Sequence, residues 1–316
     1  MLNKLPAPLR NLFGLYTSYM QPVKHPGEYA LYMMAYRLGL NRYPVYRFLE
    51  PGPLPPYYRY RHFTVPKQDG TRREIVEPGP NLKAAQRRIL QLYLNNRKPH
   101  PAALGFRRKK SIADHARAHA GAALIITADV EDFFPNTSRQ RIKSFWRQQG
   151  FSTLEVRLLT ALTSYRGALP QGAPTSPPLS NLVNYELDAA LDRRVKPSGG
   201  TYTRYADDMV FSWPDLASPP ADFEQTVRAL LREVGYTLHP RKGWHVWVRR
   251  DEPLVTGVIL KRDGSVDLPD SMRRIMRELA RSDDPNDRAR LAGYQGYEAM
   301  ITGDATPVSR RKAQGR

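Results

Sequence analysis

Tyr205-Ala206-Asp207-Asp208 places two adjacent carboxylates between two strand-like segments, 201–205 and 209–213. Short runs rich in β-branched and aromatic residues on both sides of a polar break predict a β-hairpin, so we expect the acids at its turn. An Asp pair at a turn ordinarily reflects turn chemistry and solvation. A further acid elsewhere in the sequence favours a different interpretation.

That further acid is Asp129, which follows the apolar run 124–128. Such a run predicts a buried central strand. A strand that ends in a carboxylate and a hairpin tip that carries two more supply oxygen ligands from separate rigid elements. Two Mg²⁺ ions about 3.5–4 Å apart need this ligand set for phosphoryl transfer, where one ion activates the attacking hydroxyl and the other holds the triphosphate. We therefore predict that Asp129, Asp207 and Asp208 bind metal.

Three segments in this order resemble the A, B and C motifs of reverse transcriptases: 129–134 (DVEDFF), 169–181 (LPQGAPTSPPLSN) and 205–208 (YADD). Segment 63–86 is similar to the fingers, and 235–242 (GYTLHPRK) resembles the D motif, so the likeness covers roughly residues 55–300. The resemblance implies an α+β right-hand polymerase with fingers, palm and thumb, and an antiparallel palm sheet backed by helices. It also implies RNA-directed DNA polymerase activity with two Mg²⁺ ions.

Within that superfamily the chain is similar to the retron class, whose Asn-Ala-x-x-His and Val-Thr-Gly signatures are linked to recognition of their own structured RNA. Val255, Thr256 and Gly257 match the second signature. The first is matched by 115–119, with His115 in place of the usual Asn and with His119 conforming. The resemblance implies that these five residues take part in RNA recognition.

The retron likeness also implies partners and a product. The partners are a noncoding RNA template-primer, the RNA–DNA duplex made from it and dNTPs, with an effector or toxin protein as a further candidate. Priming from a 2′-hydroxyl of the RNA would give a branched RNA–DNA molecule (msDNA). The setting would be anti-phage defence in bacteria.

The resemblance assigns nucleotide contacts to the fingers and to motif A. Lys67 and Arg73 flank the fingertip turn of a predicted hairpin and are candidates for the triphosphate; a charged, solvated strand edge is the alternative. Phe134 aligns with the steric gate, a ring that excludes a ribose 2′-hydroxyl as a form of selection against the wrong substrate. Simple packing in the core is the alternative for Phe134.

Further candidates lie around motifs A, B and D. Gln171 and Gly172 lie in a proline-rich loop, where a glycine lets the backbone approach a ligand; the likeness places them at the nascent base pair, and an ordinary turn is the alternative. Lys242 is a candidate general acid for the pyrophosphate leaving group, with a surface lysine as the alternative. The Val130 carbonyl is a candidate further metal ligand.

Composition agrees with a polyanionic partner. The 316 residues include 49 Lys and Arg against 30 Asp and Glu, a formal charge of +19, and neutralised phosphates release counterions that strengthen binding. The absence of cysteine excludes disulfides and thiolate metal sites. No secretory apolar core and no run near the ~20 apolar residues of a membrane span are found. We expect a cytoplasmic protein with no membrane partner.

Three consecutive segments are predicted. Residues 1–55 form an N-terminal helical extension that ends at a proline-rich break, residues 56–245 form fingers and palm, and residues 246–316 form primer-grip strands, thumb and basic tail. An apolar stripe with arginines on the other faces predicts the thumb helix beyond Pro269.

Two alternatives to a retron enzyme stay open. Another class of bacterial reverse transcriptase, either a defence enzyme or a solitary group II intron-like enzyme, would share the three motifs; we expect no large maturase region of the intron type here. An inactive RNA-binding scaffold with a polymerase fold is the other alternative. Retention of all three acids argues against the scaffold.

Overall fold

The computed structural model describes residues 26–66, 72–216 and 219–303. These residues belong to two compact units, and each unit combines segments that lie apart in the sequence. The first unit joins Met1–Pro99 with Phe134–Val183, and the second joins His100–Phe133 with Asn184–Arg316. The chain therefore crosses between the units three times.

The helices and strands alternate irregularly along the chain, as expected of an α+β protein. In chain order they are α1 (Pro26–Leu38), β1 (Tyr60–Pro66), β2 (Arg72–Pro78), α2 (Pro80–Ile89), α3 (Ile112–Arg117), β3 (Leu124–Asp129), α4 (Phe133–Asn136), α5 (Arg139–Gln148), α6 (Thr153–Thr163), α7 (Ser176–Val183), α8 (Tyr185–Val195), β4 (Thr201–Tyr205), β5 (Asp208–Trp213), α9 (Phe223–Glu233), β6 (His245–Val248), β7 (Leu254–Val255), β8 (Val258–Leu260), β9 (Val266–Asp267), α10 (Asp270–Leu279) and α11 (Pro285–Thr302).

The first unit packs helices beside the antiparallel hairpin β1–β2, whose pairing runs from Tyr60 opposite Pro78 to Pro66 opposite Arg72. Gln86 of α2 is fully buried, and its amide donates to the Leu162 carbonyl of α6 at 2.8 Å and to the Tyr60 hydroxyl at 2.9 Å. A buried amide must be hydrogen-bonded to be tolerated. Gln86 thus links a strand to two helices inside the apolar core.

The second unit is built on a four-stranded antiparallel sheet in the order β4-β5-β3-β6. The apolar run that predicted a central strand is β3, which pairs with β5 on one side and β6 on the other. Helices α8 and α9 pack beside this sheet, and α3 packs against β4. Neighbouring strands are antiparallel, so the end of one strand lies beside the start of the next. The acids lie at one such end of the central strands β3 and β5.

A second, smaller sheet of order β7-β8-β9 completes this unit together with α10 and α11. Its buried residues Val255, Val258 and Leu260 share an apolar cluster with Ile125 and Val210 of the large sheet. The helix predicted beyond Pro269 is α10, which begins at Asp270; its role as a thumb stays a prediction. The apolar cluster therefore joins the small sheet to the strands that bear the acids.

The predicted α+β class is confirmed by these helices and antiparallel sheets. The three predicted segments, 1–55, 56–245 and 246–316, divide the chain consecutively, whereas the compact units interleave, so segment 56–245 contributes to both. A prediction from sequence divides the chain into consecutive segments. The compact units differ because they are defined by contacts between residues that are distant in the chain. None of the described helices is long and apolar enough to cross a membrane.

Candidate active site

The register of the large sheet brings two predicted metal ligands together. Asp129, the last residue of β3, lies opposite Asp208, the first residue of β5. Asp207 lies beside them in the β4–β5 turn, which is closed by the Tyr205–Asp208 pair. Residues that are directly opposite on antiparallel strands lie about 4.5–5.5 Å apart at Cα. The backbone therefore brings Asp129 close to Asp208 at one end of the two central strands, with Asp207 in the adjoining turn.

The turn itself is strained. Ala206 has a φ of 59°, a left-handed conformation that glycine ordinarily supplies in a two-residue hairpin. An L-residue in this region costs roughly 1–2 kcal/mol. A side chain at Gly105 would place its Cβ 2.7 Å from the Ala206 nitrogen, so Gly105 allows the neighbouring loop to pack on the turn.

Backbone hydrogen bonds fix the chain on both sides of Asp129. The Val130 amide donates to the Asp207 carbonyl at 3.1 Å, and the Asp129 carbonyl accepts from the His239 amide at 2.8 Å. The Glu131 amide donates to the Thr237 carbonyl at 3.0 Å. The segment after β3 therefore lies between the acidic turn and the D-like segment, and it positions the Val130 backbone beside Asp207.

Burial, and then the proximity of the other acids, disfavours the ionised forms of Asp208 and Asp129. Burial, then the charges of Asp207 and Asp129, raises the pKa of Asp208 to about 7. Burial and Asp207 also raise the pKa of Asp129, while His239 and Lys242 lower it. A nearby cation would favour the ionised carboxylates in the same way.

These donors fit a divalent cation because Mg²⁺ prefers hard carboxylate and carbonyl oxygens. In residues 26–66, 72–216 and 219–303, no three Asp, Glu or His side chains are placed so that together they could hold a metal ion. The half-buried Asp129 and Asp208 and the exposed Asp207 supply the oxygen atoms. The fit to a divalent cation therefore rests on the chemistry of the carboxylate oxygens.

Lys242 lies near Asp129 and Asp208. Its side chain is exposed, its charge lowers the pKa of both Asp129 and Asp208, and its amide donates to the His239 ring at 3.2 Å. His239 was not predicted as a site residue. It lies in the D-like segment, which the resemblance covers, but its proximity to Asp129 depends on the bridge between Val130 and Leu238.

The Val-Thr-Gly segment forms the β7–β8 turn. Thr256 and Gly257 have φ values of 46° and 83°, and positive φ at both central residues is the pattern of a type I′ turn. The glycine suits it, whereas a β-branched residue in the left-handed region is strained. Val255 is buried in the apolar cluster, and a Cβ at Gly257 would lie 3.5 Å from the Tyr297 hydroxyl.

Thr256 also lies beside the acids. Hydrogen bonding from its buried hydroxyl lowers the pKa of Asp208. The hydroxyl meets the geometric criteria for a hydrogen bond with none of the residues that the structure describes, so it lies near Asp208 without a well-formed hydrogen bond to it. The Val-Thr-Gly segment therefore adjoins a predicted metal ligand, which its assignment to RNA recognition did not include.

His115 and His119 are buried, with 0% and 1% of their surface exposed. Thr203 Oγ1 of β4 lies 2.7 Å from His115 Nδ1 and 2.6 Å from His119 Nε2, and Ser212 Oγ of β5 lies 2.7 Å from His119 Nδ1. Burial lowers the pKa of His115 to about 3 and lowers that of His119 as well. The rings are neutral and support the hairpin from within, so a direct contact with RNA is not available to them.

A buried ion pair was missed by the sequence reasoning. Arg204 and Asp188 are 1% and 0% exposed at the side chain, and they form two hydrogen bonds of 2.8 and 2.6 Å. Arg204 also donates to the Ala206 carbonyl at 3.1 Å, and Tyr202 donates to Asp188 at 2.8 Å. An arginine inside an apolar strand next to the acids was the available signal. The pair ties the strained turn to α8.

The predicted nucleotide contacts in motifs A and B lie in the first unit, while the acids lie in the second. Phe134 packs partly buried against the first unit's core, whereas the preceding Phe133 stacks on Tyr236 of the second unit. The Gln171 carbonyl accepts from the Val76 amide of β2 at 2.8 Å. Gly172 has a φ of 123°, and a Cβ there would lie 3.1 Å from the Val76 carbonyl.

The side chains of the two predicted triphosphate contacts, Lys67 and Arg73, are not described by the structure. Lys67 lies outside the described residues, and Arg73 lies in β2, where only its backbone is described. The β1–β2 pairing confirms the predicted hairpin. The triphosphate role of both side chains stays a prediction.

A family model described as "Reverse transcriptase (RNA-dependent DNA polymerase)" matches residues 65–260. The chain belongs to this family. Enzymes of the family are generally metal-dependent, which agrees with the acidic donor set. The motif-based resemblance to reverse transcriptases is therefore confirmed.

Curated relatives carry retron names. Retron Mx162 reverse transcriptase of Myxococcus xanthus is 36% identical over 70% of this chain and 50% of its own length. Retron Ec86 reverse transcriptase of Escherichia coli is 37% identical over 65% of this chain and 64% of its own. Retron Mx65 reverse transcriptase of Myxococcus xanthus is 31% identical over 82% and 66%. The resemblance to the retron class is confirmed, and the chain spans about half to two thirds of these relatives' length.

Among solved structures, apo telomerase from Candida tropicalis matches with a TM-score of 0.51 and 11% sequence identity. The match covers 71% of this chain and 49% of the telomerase chain. At this identity the likeness concerns the fold alone. It confirms the predicted polymerase fold.

Proposed function

We propose that this chain is an RNA-directed DNA polymerase of the retron type, which extends a primer hydroxyl with dNTPs on an RNA template. The observation that carries the proposal is the register that sets Asp129 opposite Asp208, beside the turn with Asp207. Membership of the reverse transcriptase family supports the RNA template. The retron names of the relatives support the retron type.

Asp129, Asp207 and Asp208 would hold two Mg²⁺ ions, with the Val130 carbonyl as a further ligand. Burial, then the charges of Asp207 and Asp129, raises the pKa of Asp208 to about 7, and bound cations would favour its ionised form. Bound there, the ions would supply Lewis-acid activation of the primer hydroxyl and neutralise triphosphate charge. The neighbouring backbone hydrogen bonds support the proposal because they hold the donors on rigid strands.

The reaction joins the primer oxygen to the α-phosphorus of the dNTP and breaks the bond to the β-phosphate. The primer hydroxyl loses its proton, and pyrophosphate leaves with the bonding electrons. Lys242 would neutralise the leaving group and donate a proton to it. Its charge already acts on Asp129 and Asp208.

Selectivity would come from the residues that the resemblance assigned. Phe134 would exclude the ribose 2′-hydroxyl, and Gln171 with Gly172 would contact the nascent base pair. Lys67 and Arg73 would bind the triphosphate from the fingertip. The close approach of Gly172 to β2 supports this loop as a place where backbone packs tightly.

The retron assignment extends the proposal to partners. The template-primer would be a noncoding RNA that offers a 2′-hydroxyl, and the product would be msDNA made in the bacterial cytoplasm for anti-phage defence, with an effector protein as a further partner. Val255, Thr256 and Gly257 would help to present this RNA. His115 and His119 would contribute indirectly, through the strands that they support.

The proposal is tested with Asp207→Asn and Asp208→Asn. Each variant loses a metal-binding charge but keeps the shape of the side chain, so we expect DNA synthesis to fall by at least ~10³-fold, the scale on which catalytic groups act. RNA binding should stay within about twofold. The measurements are radiolabelled dNTP incorporation on a primed RNA and filter binding of the same RNA.

The matched control is Asp222→Asn, an exposed acid of the same unit, which should synthesise DNA like the wild type. Wild-type incorporation by either site variant would remove the site assignment. No incorporation by the wild type would favour an inactive scaffold. DNA without an RNA branch, judged by resistance to a debranching enzyme, would leave another class of reverse transcriptase.

A further inference from the structure

The first unit contains a groove that the proposed catalytic site does not use. Its volume is about 1090 Å³, and all its lining residues lie in this unit. Six of them are cationic: Arg47, Arg59, Arg139, Lys143, Arg157 and Arg166. They come from the segment before β1, from α5 and α6, and from the loop after α6. Separate elements thus bring like charges to one place.

The charges of this groove are poorly compensated. Glu50 is the single acid among its lining residues, and it pairs with Arg47. Within the described part of the chain, no carboxylate pairs with Arg59, Arg139 or Lys143. Converging like charges are unfavourable in the absence of a counter-charge. A bound anion would supply it.

The floor of the groove is polar and buried. Thr160 is 2% exposed, and its Oγ1 has no hydrogen-bond partner within the described residues. The adjacent Ser164 hydroxyl donates to the Thr160 carbonyl at 2.6 Å, and Arg157 donates to the Leu49 carbonyl at 2.7 Å. A buried hydroxyl without a partner costs about 1–3 kcal/mol. A ligand oxygen that reaches this floor would satisfy it.

One wall of the groove is aromatic. The rings of Tyr60 and Tyr165 lie 4.7 Å apart at their centroids, and His62 lies 2.7 Å from the Tyr165 hydroxyl. Arg166 covers the face of Tyr165 at 5.4 Å. Aromatic rings interleaved with cations are the usual means of binding single-stranded nucleic acid.

We propose that this groove of the first unit binds a single-stranded RNA segment through the RNA phosphates. The proposal rests on the proposed function, which makes RNA the polyanion that this chain meets. The spread of the cations over several elements favours a polymer with several phosphates over a free nucleotide. The cations bind the phosphate backbone.

A first experiment measures the salt dependence of binding to a short, unstructured, fluorescein-labelled RNA by anisotropy. The variant Arg59→Gln/Arg139→Gln/Lys143→Gln removes three unpaired cations of the groove. Each lost phosphate contact lowers the slope of log K against log salt by about 0.7 for single strands, so we expect the slope to fall by about 2. Affinity at low salt should fall at least tenfold.

The control Arg87→Gln/Lys98→Gln removes two exposed cations of the same unit that lie outside the groove. Its slope should stay like that of the wild type. Equal slopes for the wild type and the triple variant, or an equal loss per charge in the control, would overturn the proposal.

A second experiment leaves the charge unchanged. Because the chain has no cysteine, Gln140→Cys and Gln148→Cys each introduce a unique thiol on α5, and both positions are exposed. Gln140 lines the groove and Gln148 does not. The same RNA should slow alkylation of Cys at 140 at least fivefold and leave the rate at 148 unchanged. Protection at both positions, or at neither, would overturn the groove.

The two proposals fail separately. Groove-specific protection in the Gln140→Cys variant, together with no dNTP incorporation by the wild type, would overturn the proposed function and keep the groove. DNA synthesis by the wild type, together with no protection of either introduced thiol by RNA, would overturn the groove and keep the polymerase. Protection by an acidic peptide but not by RNA would assign the groove to a protein partner.

Discussion

Two hairpin turns of the second unit, β4–β5 and β7–β8, both hold a non-glycine residue in the left-handed region, but their surroundings differ. Beneath the first, Arg204 and Asp188 form a buried ion pair that reaches the Ala206 carbonyl. Beside the second lies an apolar cluster, and the Thr256 hydroxyl near Asp208 has no well-formed hydrogen bond within the described residues. The first turn is fixed by many bonds, whereas the second is strained with little to hold it.

The difference indicates separate tasks. A turn that carries metal ligands must hold its geometry when the charge around it changes, and a satisfied polar network makes it rigid. A strained turn with a weakly bonded hydroxyl can adjust to the state of its neighbour. Substitutions in the network should therefore damage folding and chemistry together, while substitutions at Thr256 should act mainly on chemistry.

The largest effect is expected for Arg204→Met. Removing one partner leaves the Asp188 carboxylate buried and unpaired, which typically costs 3–5 kcal/mol. Urea denaturation should show this loss in the free energy of unfolding, together with loss of DNA synthesis. The double variant Arg204→Met/Asp188→Leu removes both charges and should recover stability but not activity. A single variant as stable as the wild type would mean that the pair does not support the turn.

An intermediate effect is expected at low pH for His115. Its pKa is lowered to about 3 in the folded chain against about 6.5 unfolded. The unfolded chain therefore binds more protons between these values, and the stability contribution present above pH 6.5 is lost as the pH falls. His115→Asn places the usual retron residue there and removes this proton uptake.

From pH 7 to pH 5 the wild type should therefore lose about 2 kcal/mol more free energy of unfolding than His115→Asn does. Urea denaturation at the two pH values measures the difference. DNA synthesis at pH 7.5 should be retained, because Asn can still hydrogen-bond to Thr203. Parallel pH dependences for the two proteins would show that the ring is not held neutral in the folded state.

The smallest change in stability is expected for Thr256→Gly. Relief of left-handed strain should stabilise the chain by about 1 kcal/mol. Loss of the hydroxyl, which lowers the pKa of Asp208, should raise that pKa and shift the pH–rate profile of DNA synthesis upward. Thr256→Ser keeps the hydroxyl and should keep the profile.

Comparing templates sharpens this last test. A role of Thr256 beside Asp208 predicts that Thr256→Gly changes synthesis equally on a cognate hairpin RNA and on a generic annealed primer-template. A role in RNA recognition alone predicts loss on the hairpin RNA only. Loss of synthesis on the hairpin RNA alone, with an unchanged pH–rate profile, would show that Thr256 acts in RNA recognition. The β7–β8 turn would then have no influence on the chemistry at Asp208.

Much of the site could be predicted because motif chemistry is local. Alternating and apolar runs predict β3 and the β4–β5 hairpin, and both exist as predicted. Asp129 lies opposite Asp208 because the end of β3 pairs with the start of β5, next to the hairpin turn. The role of His115 and His119 was harder, since a His spaced four residues from another fits a surface helix as well as a buried one.

The amino-acid sequence alone determined the strands, the order of the acidic motifs, the excess of positive charge and the family. These depend on side-chain periodicity and composition, which neighbouring residues carry. Only the tertiary structure decided that Arg204 is paired, that Thr256 adjoins Asp208 and that six cations line one groove. Each of these depends on contacts between residues that are distant in the chain, and burial and the resulting pKa values exist only once those contacts form.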